Sequence, residues 1–414
     1  MADDFRIQRY TEADRLSVFA LLREAFSEQY AKHLMRIWNW KYDSNPLNRE
    51  AEKVRRADHE TLWSYITQTY PENIRTQWGL NLDDLNRVPI DAPYVLLLKD
   101  GDQVVAMEGS LPRAFLINGE RQVASIGCDF AVHPEYRGRQ LSMRLALRTM
   151  AEHRMSVGWY NTSSWASTNR WEKKTAPTLR RVTRLNPPVS GKMRAVALVK
   201  PIDWPYVLQR ATGIQLPASI TAWVAAGANR TRGTRAKPVA MSGMDVFNLE
   251  TFDSGIDDLW QRCSREHQVI GVRDSDYVSW RFTSRPDTSY ICLAAARGSL
   301  IVGYLVYRIV ERDGGRIGYI VDFLTEGEPN LAFASLVARA EEWMVRDGVQ
   351  SIVCPIAKTA FRKVLHQDGF YPAILGVRSH LSAEVNVPDD HTKVYADLPK
   401  WFVTIADGDS EMSF

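Results

Sequence analysis

The fold of this chain is decided by the stretch Ala131-Val132-His133-Pro134-Glu135-Tyr136-Arg137-Gly138-Arg139-Gln140-Leu141-Ser142. The sequence before it is typical of a strand, and the residues after it recur at helical spacing, so the stretch joins a strand to the N-terminus of a helix. Backbone N–H groups are unpaired at such a terminus, and the helix dipole adds partial positive charge. Gly138 allows close backbone approach, and Arg137 and Arg139 offer charge-assisted hydrogen bonds. The sequence therefore predicts a site for a pyrophosphate.

The elements on either side of this stretch form a regular series. Alternating apolar residues and the Asn118-Gly119 turn signal predict a hairpin that leads into the strand before the stretch. Helices precede the hairpin, and a polar, helical segment lies between them as an insertion. The predicted ranges are helices at 11–42, the insertion at 47–90, strands at 94–98, 103–117, 122–132 and 157–161, and a helix at 141–154.

The series of elements is repeated later in the chain. Trp40-Lys41-Tyr42-Asp43-Ser44-Asn45-Pro46 and Trp280-Arg281-Phe282-Thr283-Ser284-Arg285-Pro286 share the pattern W-basic-aromatic-x-S-x-P. Asp322-Phe323 lies in the second copy where Asp129-Phe130 lies in the first. We therefore predict a duplication, with domains at residues 1–186 and 241–414 and a connector at 187–240.

The stretch from Ala131 to Ser142 resembles the acyl-CoA-binding motif of the GNAT (N-acetyltransferase) superfamily, R/Q-x-x-G-x-G/A. Arg137 takes the first place of the motif, Gln140 stands where the family has glycine, and Ser142 stands where it has glycine or alanine. The order of elements also resembles that of the family. The resemblance implies an α+β fold with two GNAT-like domains, each a mixed, mostly antiparallel sheet flanked by helices.

The resemblance also implies a reaction, in which an amine attacks the thioester of an acyl-CoA directly. It puts the thioester along the strand that ends at Val132, where backbone N–H groups near Phe130 to Val132 polarise the carbonyl. Acetyl-CoA is the expected co-substrate, and no metal is expected. The residues implied in CoA binding are Phe130, Ala131, Val132, Arg137, Gly138, Arg139, Gln140, Leu141, Ser142 and Asn161.

Three side chains are candidates for proton transfer. Asp129 lies in the strand beside the expected thioester and is the first candidate for the base, although Asp322 in the second copy favours a structural role for this aspartate. Glu108, on a neighbouring strand, is the second candidate, because burial would raise the pKa of a carboxyl group toward the range of a base. Tyr160 is the candidate that protonates the leaving thiolate.

The second copy lacks the arginine-rich loop. Glu326 and Glu328 follow Asp322-Phe323, and their charges would repel a pyrophosphate. We therefore expect CoA in the first copy only.

The amino-acid composition is typical of a globular protein and does not favour several other classes. The chain has 414 residues, 45% hydrophobic and 24% charged, which is an ordinary globular balance. Its net charge of +3 does not favour a nucleic-acid partner. The four cysteines lack CxxC spacing and a histidine cluster, so neither a zinc site nor a disulfide framework is expected. No apolar run has membrane-spanning length, and we expect a cytoplasmic protein without a membrane partner.

Two other functions remain open at this stage. Gln140 and Ser142 are compatible with a non-catalytic GNAT-like binding protein. The tandem arrangement also resembles the Fem-type transferases, which use aminoacyl-tRNA. If the chain is an acyltransferase, its acceptor is a small-molecule or peptide amine, and it acts as a monomer or homodimer.

Overall fold

The computed structural model describes most of the chain. The described residues are 5–69, 72, 82–139, 141–160, 189–231, 244–312, 314–327, 331–356, 358–373, 379–385, 394 and 397–409. The chain divides into two compact units, each assembled from three segments. The first unit comprises Met1–Lys192, Ser284–Asp287 and Leu381–Leu398, and the second comprises Met193–Thr283, Thr288–His380 and Pro399–Phe414.

A mixed sheet forms the centre of the first unit. Its strands are β1 (Phe5–Arg9), β2 (Val95–Asp100), β3 (Gln103–Ile117), β4 (Glu120–Val132), β5 (Met155–Tyr160) and β14 (Ser379–Val385), in that order across the sheet. The pairings from β1 to β4 are antiparallel, whereas β4 and β5 run parallel. The hairpin between β3 and β4 turns at Asn118 and Gly119, which both have positive φ, as the Asn-Gly signal predicts.

Helices pack on this sheet because each has one apolar face. They are α1 (Arg15–Ala25), α2 (Glu28–Trp38), α3 (Asn48–Thr69), α4 (Leu82–Asn86) and α5 (Leu141–Met150). Leu141 and Leu145, one turn apart on α5, are buried together with Leu98 and Val105 of the sheet. The N-terminus of α5 is thereby held beside the end of β4.

The second unit is built on another mixed sheet. Its central strands, in order, are β6 (Val189–Pro201), β12 (Ser351–Ile356), β11 (Gly315–Thr325), β10 (Leu300–Arg312), β9 (Ile291–Arg297) and β7 (Asp245–Asn248). Only the β11–β12 pairing is parallel among these. Three short strands complete the described set, namely β8 (Val269–Gly271), β13 (Tyr371–Pro372) and β15 (Trp401–Phe402).

The second unit also contains helices. They are α6 (Trp204–Thr212), α7 (Ala218–Thr231), α8 (Ser254–Ser264), α9 (Ser275–Val278), α10 (Leu331–Arg346) and α11 (Thr359–Gln367). The predicted fold class, two units that each contain a mixed, mostly antiparallel sheet flanked by helices, is confirmed. The description of the second unit as a GNAT domain stays an interpretation.

The segment predicted as a connector, residues 187–240, contains regular structure. β6 pairs antiparallel with β12 from Val196 to Pro201, and Ala197 and Leu198 are buried. A strand with a paired ladder and buried apolar side chains is part of a sheet, so residues 193–201 are counted with the second unit.

The repeated tryptophan motif adopts the same unusual conformation in both copies. Asn39–Asp43 and Ser279–Thr283 each form a short π-helix, a rare element that is frequent at functional or specialised positions. Tyr42 and Phe282 are both buried in these turns. The shared π-helix is structural support for the duplication that the sequence predicts.

None of the helices in the described ranges combines the length and apolar character that crossing a bilayer requires. The four cysteines, Cys128, Cys263, Cys292 and Cys354, are all buried.

Candidate active site

The predicted pyrophosphate loop is an open, cationic turn at the start of α5. Residues Pro134–Tyr136 form one turn of 3-10 helix, and α5 begins at Leu141. Gly138 has φ +86°, a left-handed conformation that favours glycine, and a Cβ built there would meet nothing within 4 Å. Arg137 and Arg139 are exposed on either side of it. The turn therefore leaves room for an anion beside two guanidinium groups.

The two arginines are held differently. Arg137 Nη2 donates to the carbonyl of Ala25 at 3.4 Å, and its Nε donates to the carbonyl of Val132 at 3.4 Å. Arg139 lies over the ring of Tyr136, 4.8 Å from its centroid. Arg137 is thus tethered between the end of α1 and the end of β4, whereas Arg139 is stacked on the loop itself.

The described pairing between β4 and β5 is short. Their described parallel pairing is Ser125 with Ser156 and Ile126 with Val157. β4 continues to Val132, so the described pairing with β5 stops before the last part of β4. A strand edge without a neighbour presents N–H and C=O groups to a ligand. This edge leads directly to the arginine loop.

A β-bulge lies on that free part of β4. Met107 of β3 pairs with Ala131, and Gly109 pairs with Cys128, so Asp129 and Phe130 together oppose one residue of β3, Glu108. Asp129 has φ +49°, the left-handed region that few non-glycine residues adopt. Phe130 is 43% exposed at the bulge. The bulge breaks the regular ladder at the position where the sequence predicts the thioester.

Asp129 is committed to structural contacts. It is buried, and its carboxylate accepts hydrogen bonds from Tyr30 at 2.6 Å and from Tyr42, while Lys41 Nζ lies 2.7 Å away. Burial alone would raise the pKa of Asp129, but the charge of Lys41 and these hydrogen bonds hold it below the usual value for aspartate. An ionised carboxylate with a low pKa and three partners is a poor base, which favours the structural role.

Glu108 has the properties that Asp129 lacks. The pKa of Glu108 is raised to about 7 by burial, with a small further contribution from the negative charge of Glu152, while a hydrogen bond with Thr149 partly opposes the rise. Its Oε2 is shielded from solvent and has no hydrogen-bond partner among the described residues. A carboxyl group with a pKa near neutrality and a free oxygen suits general-base catalysis. Glu108 is therefore the better candidate of the two.

A buried ionic cluster behind Glu108 was not predicted from the sequence. Arg9, Arg55 and Arg148 surround Glu152, with Arg55 at 3.3 Å, Arg148 at 3.1 Å and Arg9 in a shorter contact. Burial alone would raise the pKa of Glu152, but the three arginines lower it well below its usual range. The Arg148–Glu152 spacing of one helical turn is visible in the sequence, whereas Arg9 and Arg55 come from distant segments and give no local signal.

This cluster reaches the face of β3 that carries Glu108. Ser110, two residues beyond Glu108 on the same face, hydrogen-bonds with Ser125 at 2.6 Å and with His153 at 3.3 Å. Arg55 Nη2 also donates to Ser110, at 3.4 Å. Residues two apart on a strand share a face, so α3 and α5 present one polar, buried layer to this side of the sheet.

The remaining predicted residues fall into two groups. Leu141 and Ala131 are buried, so their side chains pack in the unit and only their backbone groups are available to a ligand, while Ser142 and Val132 are half-buried. Tyr160 ends β5, but its side chain lies outside the described structure, and Gln140 and Asn161 lie outside the described residues.

The aspartate of the second unit has a different set of partners. Asp322 is buried and accepts hydrogen bonds from Arg273 at 3.0 Å, Tyr304 at 2.7 Å and Thr404 at 2.6 Å. Arg273 also contacts Asp407 at 2.6 Å. Both copies therefore place a fully bonded aspartate in the same strand, using different cations.

The loop that follows β11 is filled by the unit itself. The N–H of Gly327 donates to both carboxylate oxygens of Glu266, at 3.0 and 2.8 Å, and Arg262 pairs with Glu326 at 3.2 Å. The carboxylate of Glu266 therefore occupies a loop N–H group in the second unit, at the position where the loop of the first unit would face an anion. The expectation that only the first copy holds CoA stays a prediction.

A protein-family model matches part of the first unit in sequence. Residues 6–159 match the family model of the acetyltransferase (GNAT) domain. The matched range covers β1 to β5, the arginine loop and α5. No curated protein matches the chain in sequence.

Solved structures resemble the chain in fold over most of its length. A GCN5-related N-acetyltransferase from Anabaena variabilis ATCC 29413 has a TM-score of 0.50 at 12% identity, covering 92% of this chain and 73% of that one. N-myristoyltransferase from Saccharomyces cerevisiae with bound myristoyl-CoA has a TM-score of 0.52 at 12% identity, covering 93% and 79%. A protein from Enterococcus faecalis V583, described as a probable N-acyltransferase, has a TM-score of 0.50 at 13% identity, covering 92% and 73%.

Proposed function

We propose that the protein transfers an acyl group from acyl-CoA to a primary amine, because residues 6–159 match the model of the acetyltransferase (GNAT) domain. The observation that carries the proposal is the bulged end of β4, beyond its described pairing with β5, beside an arginine loop at the start of a helix. The free strand edge offers backbone hydrogen bonds to an extended ligand, and the loop offers charge to its phosphates.

The residues of the loop fit the phosphates of CoA. Arg137 and Arg139 are exposed, and Gly138 leaves its surroundings open. The first N–H groups of α5 add donors and partial positive charge. These backbone groups do not depend on the side chain at position 140, so the departure from the family motif at Gln140 leaves the main anion donors in place.

Glu108 is the residue that we assign as the general base. It opposes the bulge of β4, its Oε2 is free of described partners, and burial raises its pKa to about 7. At neutral pH its carboxylate would accept a proton from the ammonium form of the acceptor, so that the free amine attacks. Asp129 would serve the reaction indirectly, by holding the backbone of the bulge in its left-handed conformation.

Backbone N–H groups and one side chain would stabilise the thioester carbonyl and protonate the leaving thiolate. Acyl-CoA, when bound, supplies the acyl group as a thioester. N–H groups of Phe130 to Val132 would stabilise the negative charge on its carbonyl oxygen while the C–N bond forms and the C–S bond breaks. Tyr160 would give a proton to the departing sulfur and regain one from the attacking nitrogen, and the proton held by Glu108 returns to solvent. Protons and charges then balance over the cycle.

The proposal also specifies which acyl group is transferred and which amine accepts it. We take acetyl as the first candidate because the family model is that of acetyltransferases. The yeast structure with bound myristoyl-CoA makes a long acyl chain the second candidate. The acceptor would be a small-molecule or peptide amine.

Thiol release from acyl-CoA tests the proposal. Purified protein is mixed with acetyl-, octanoyl- or myristoyl-CoA and a panel of small amines and N-terminal peptides, and the free thiol is measured. We expect amine-dependent release with at least one pair. Glu108→Gln should lower that rate by about 10²-fold or more, because it removes the base but keeps the shape. The matched control is Glu60→Gln, an exposed glutamate on α3.

Two results would contradict the proposal. Absence of amine-dependent thiol release across the panel, in protein that binds CoA, would favour a non-catalytic binding protein. Equal rates for Glu108→Gln and the wild type would remove Glu108 as the base while leaving the transferase activity itself intact.

A further inference from the structure

The second unit carries a helical hairpin that is attached by few side chains. The hairpin consists of α6, Trp204–Thr212, and α7, Ala218–Thr231. Tyr206 donates to the carbonyl of Arg312 at 3.1 Å, and the ring of Trp204 lies 5.9 Å from that of Tyr371. α6 buries none of its residues fully, and Thr221 is the one buried side chain in the described part of α7.

Large apolar side chains of this hairpin face solvent. Ile214 is 62% exposed, Ile220 is 45% exposed and Trp223 is 77% exposed. Ile220 and Trp223 are three residues apart on α7 and therefore share a face. Single exposed apolar residues are normal on a soluble protein, but a concentrated group that includes a tryptophan marks a surface that contacts a partner.

The sequence of the hairpin and its flanks is cationic. Between Asp203 and Asp245 the sequence contains no acidic residue and has five cationic ones, although the whole chain has a net charge of only +3. In the described structure Arg210 of α6 donates to the hydroxyl of Tyr206 at 3.4 Å, and that hydroxyl donates to the carbonyl of Arg312 on β10. The exposed carboxylate next to them, Glu311, lies 4.0 Å from Arg316. The hairpin thus carries cationic residues together with its exposed apolar side chains.

The exposed apolar side chains and the cations of the hairpin together indicate which kind of surface would bind it. A second copy of the chain would bring the same cations face to face, which costs free energy by repulsion. An anionic membrane supplies opposite charge for the arginines and an apolar layer for tryptophan and isoleucine, which is the composition typical of interfacial helices. A helix of the length of α7 is about 20 Å long, shorter than the apolar core of a bilayer, so it would lie on the surface.

We propose that the α6–α7 hairpin docks on an anionic phospholipid surface, with Trp223, Ile220 and Ile214 inserted among the lipids and Arg210 and Arg312 close to the headgroups. The proposal departs from the sequence expectation that the protein has no membrane partner. The proposal is independent of the acyltransferase function, because it rests on the second unit only.

Vesicle binding tests the proposal on the full chain. Large unilamellar vesicles of phosphatidylcholine with about one third phosphatidylglycerol are titrated, and sedimentation gives the partition coefficient. We expect binding that falls as salt shortens the Debye length from about 10 Å to about 3 Å. Trp223→Ser should weaken it at least tenfold, in line with the free energy of burying a large apolar side chain. Arg210→Gln should weaken it about fivefold.

The control variant is Leu300→Ser, which removes a side chain of the same unit that is 46% exposed, similar to Ile220. It should leave the partition coefficient unchanged. The proposal is overturned if the protein ignores anionic vesicles at about 1 mM lipid, or if Trp223→Ser binds them as well as Leu300→Ser does. It is also overturned if Trp223→Ser abolishes a dimer seen by sedimentation equilibrium while vesicle binding is absent, since the hairpin would then be an interface between copies.

Discussion

At the scale of single residues, the site contains two carboxyl groups with opposite environments. Asp129 is held ionised by Lys41, Tyr30 and Tyr42, whereas burial pushes the pKa of Glu108 up to about 7. Two neighbouring carboxyl groups whose pKa values are driven apart usually have separate roles. We therefore expect Asp129 to stabilise the fold and Glu108 to act in the reaction.

Asp129→Asn should damage stability. The substitution keeps the shape and tolerates positive φ, but it leaves the buried ammonium of Lys41 without its charge partner. Breaking one side of a buried ion pair costs about 3–5 kcal/mol, and urea unfolding measures this cost. Asp102→Asn, in the exposed turn between β2 and β3, is the matched control and should be neutral. An Asp129→Asn variant of wild-type stability with abolished turnover would instead make Asp129 the base.

The pH dependence of turnover should report Glu108. Its carboxyl group is protonated and inactive as a base below its pKa of about 7 and ionised above it, so log kcat should rise with pH and level off near neutrality. Glu108→Gln should remove that break in the profile, and Glu60→Gln should keep it. A wild-type profile without a break between about pH 6 and 8 would contradict the assignment.

At the scale of elements, the bulge and the π-helix depend on one glycine. A Cβ at Gly109 would collide with the hydroxyl of Tyr42 and lie 3.1 Å from the sulfur of Cys128. Gly109→Ala should therefore displace Tyr42 from Asp129 and destabilise the first unit by about 1–3 kcal/mol. Thermal unfolding of Gly127→Ala provides the comparison, because a Cβ there meets nothing within 4 Å. Equal melting temperatures for the two variants would show that the contact between β3 and the π-helix is not tight.

Elements were also the level at which the sequence was most informative. Alternation predicted β3 with its observed bounds, and the Asn-Gly signal predicted its turn, because both depend on local geometry. The π-helix at Asn39–Asp43 was predicted only as the end of a helix, since a change from α to π hydrogen bonding leaves no mark in apolar spacing.

The site was predictable only where its residues are close in sequence. The arginine loop is one continuous stretch, and its turn conformation follows from Gly138. The partners of Asp129 lie more than 80 residues away from it, and so does Arg55 from Glu152. Such contacts depend on tertiary packing, which is why the sequence left the choice between Asp129 and Glu108 open.

At the scale of the whole molecule, the two units have one fold class and different loops. The first unit has an open loop with Arg137 and Arg139, and the second fills its corresponding loop with the carboxylate of Glu266. Because a carboxylate competes with phosphate for the same N–H group, we expect one acyl-CoA per chain rather than two.

Calorimetric titration of the full chain with CoA and acetyl-CoA tests the central claim most directly. We expect a single site per chain with a dissociation constant in the micromolar range, lost in the Arg137→Ala, Arg139→Ala double variant at unchanged circular dichroism. Arg297→Ala, an exposed arginine of the second unit, should bind like the wild type. Binding weaker than about −4 kcal/mol, which corresponds to about 1 mM, or binding that survives in the double variant, would contradict a CoA site at the start of α5.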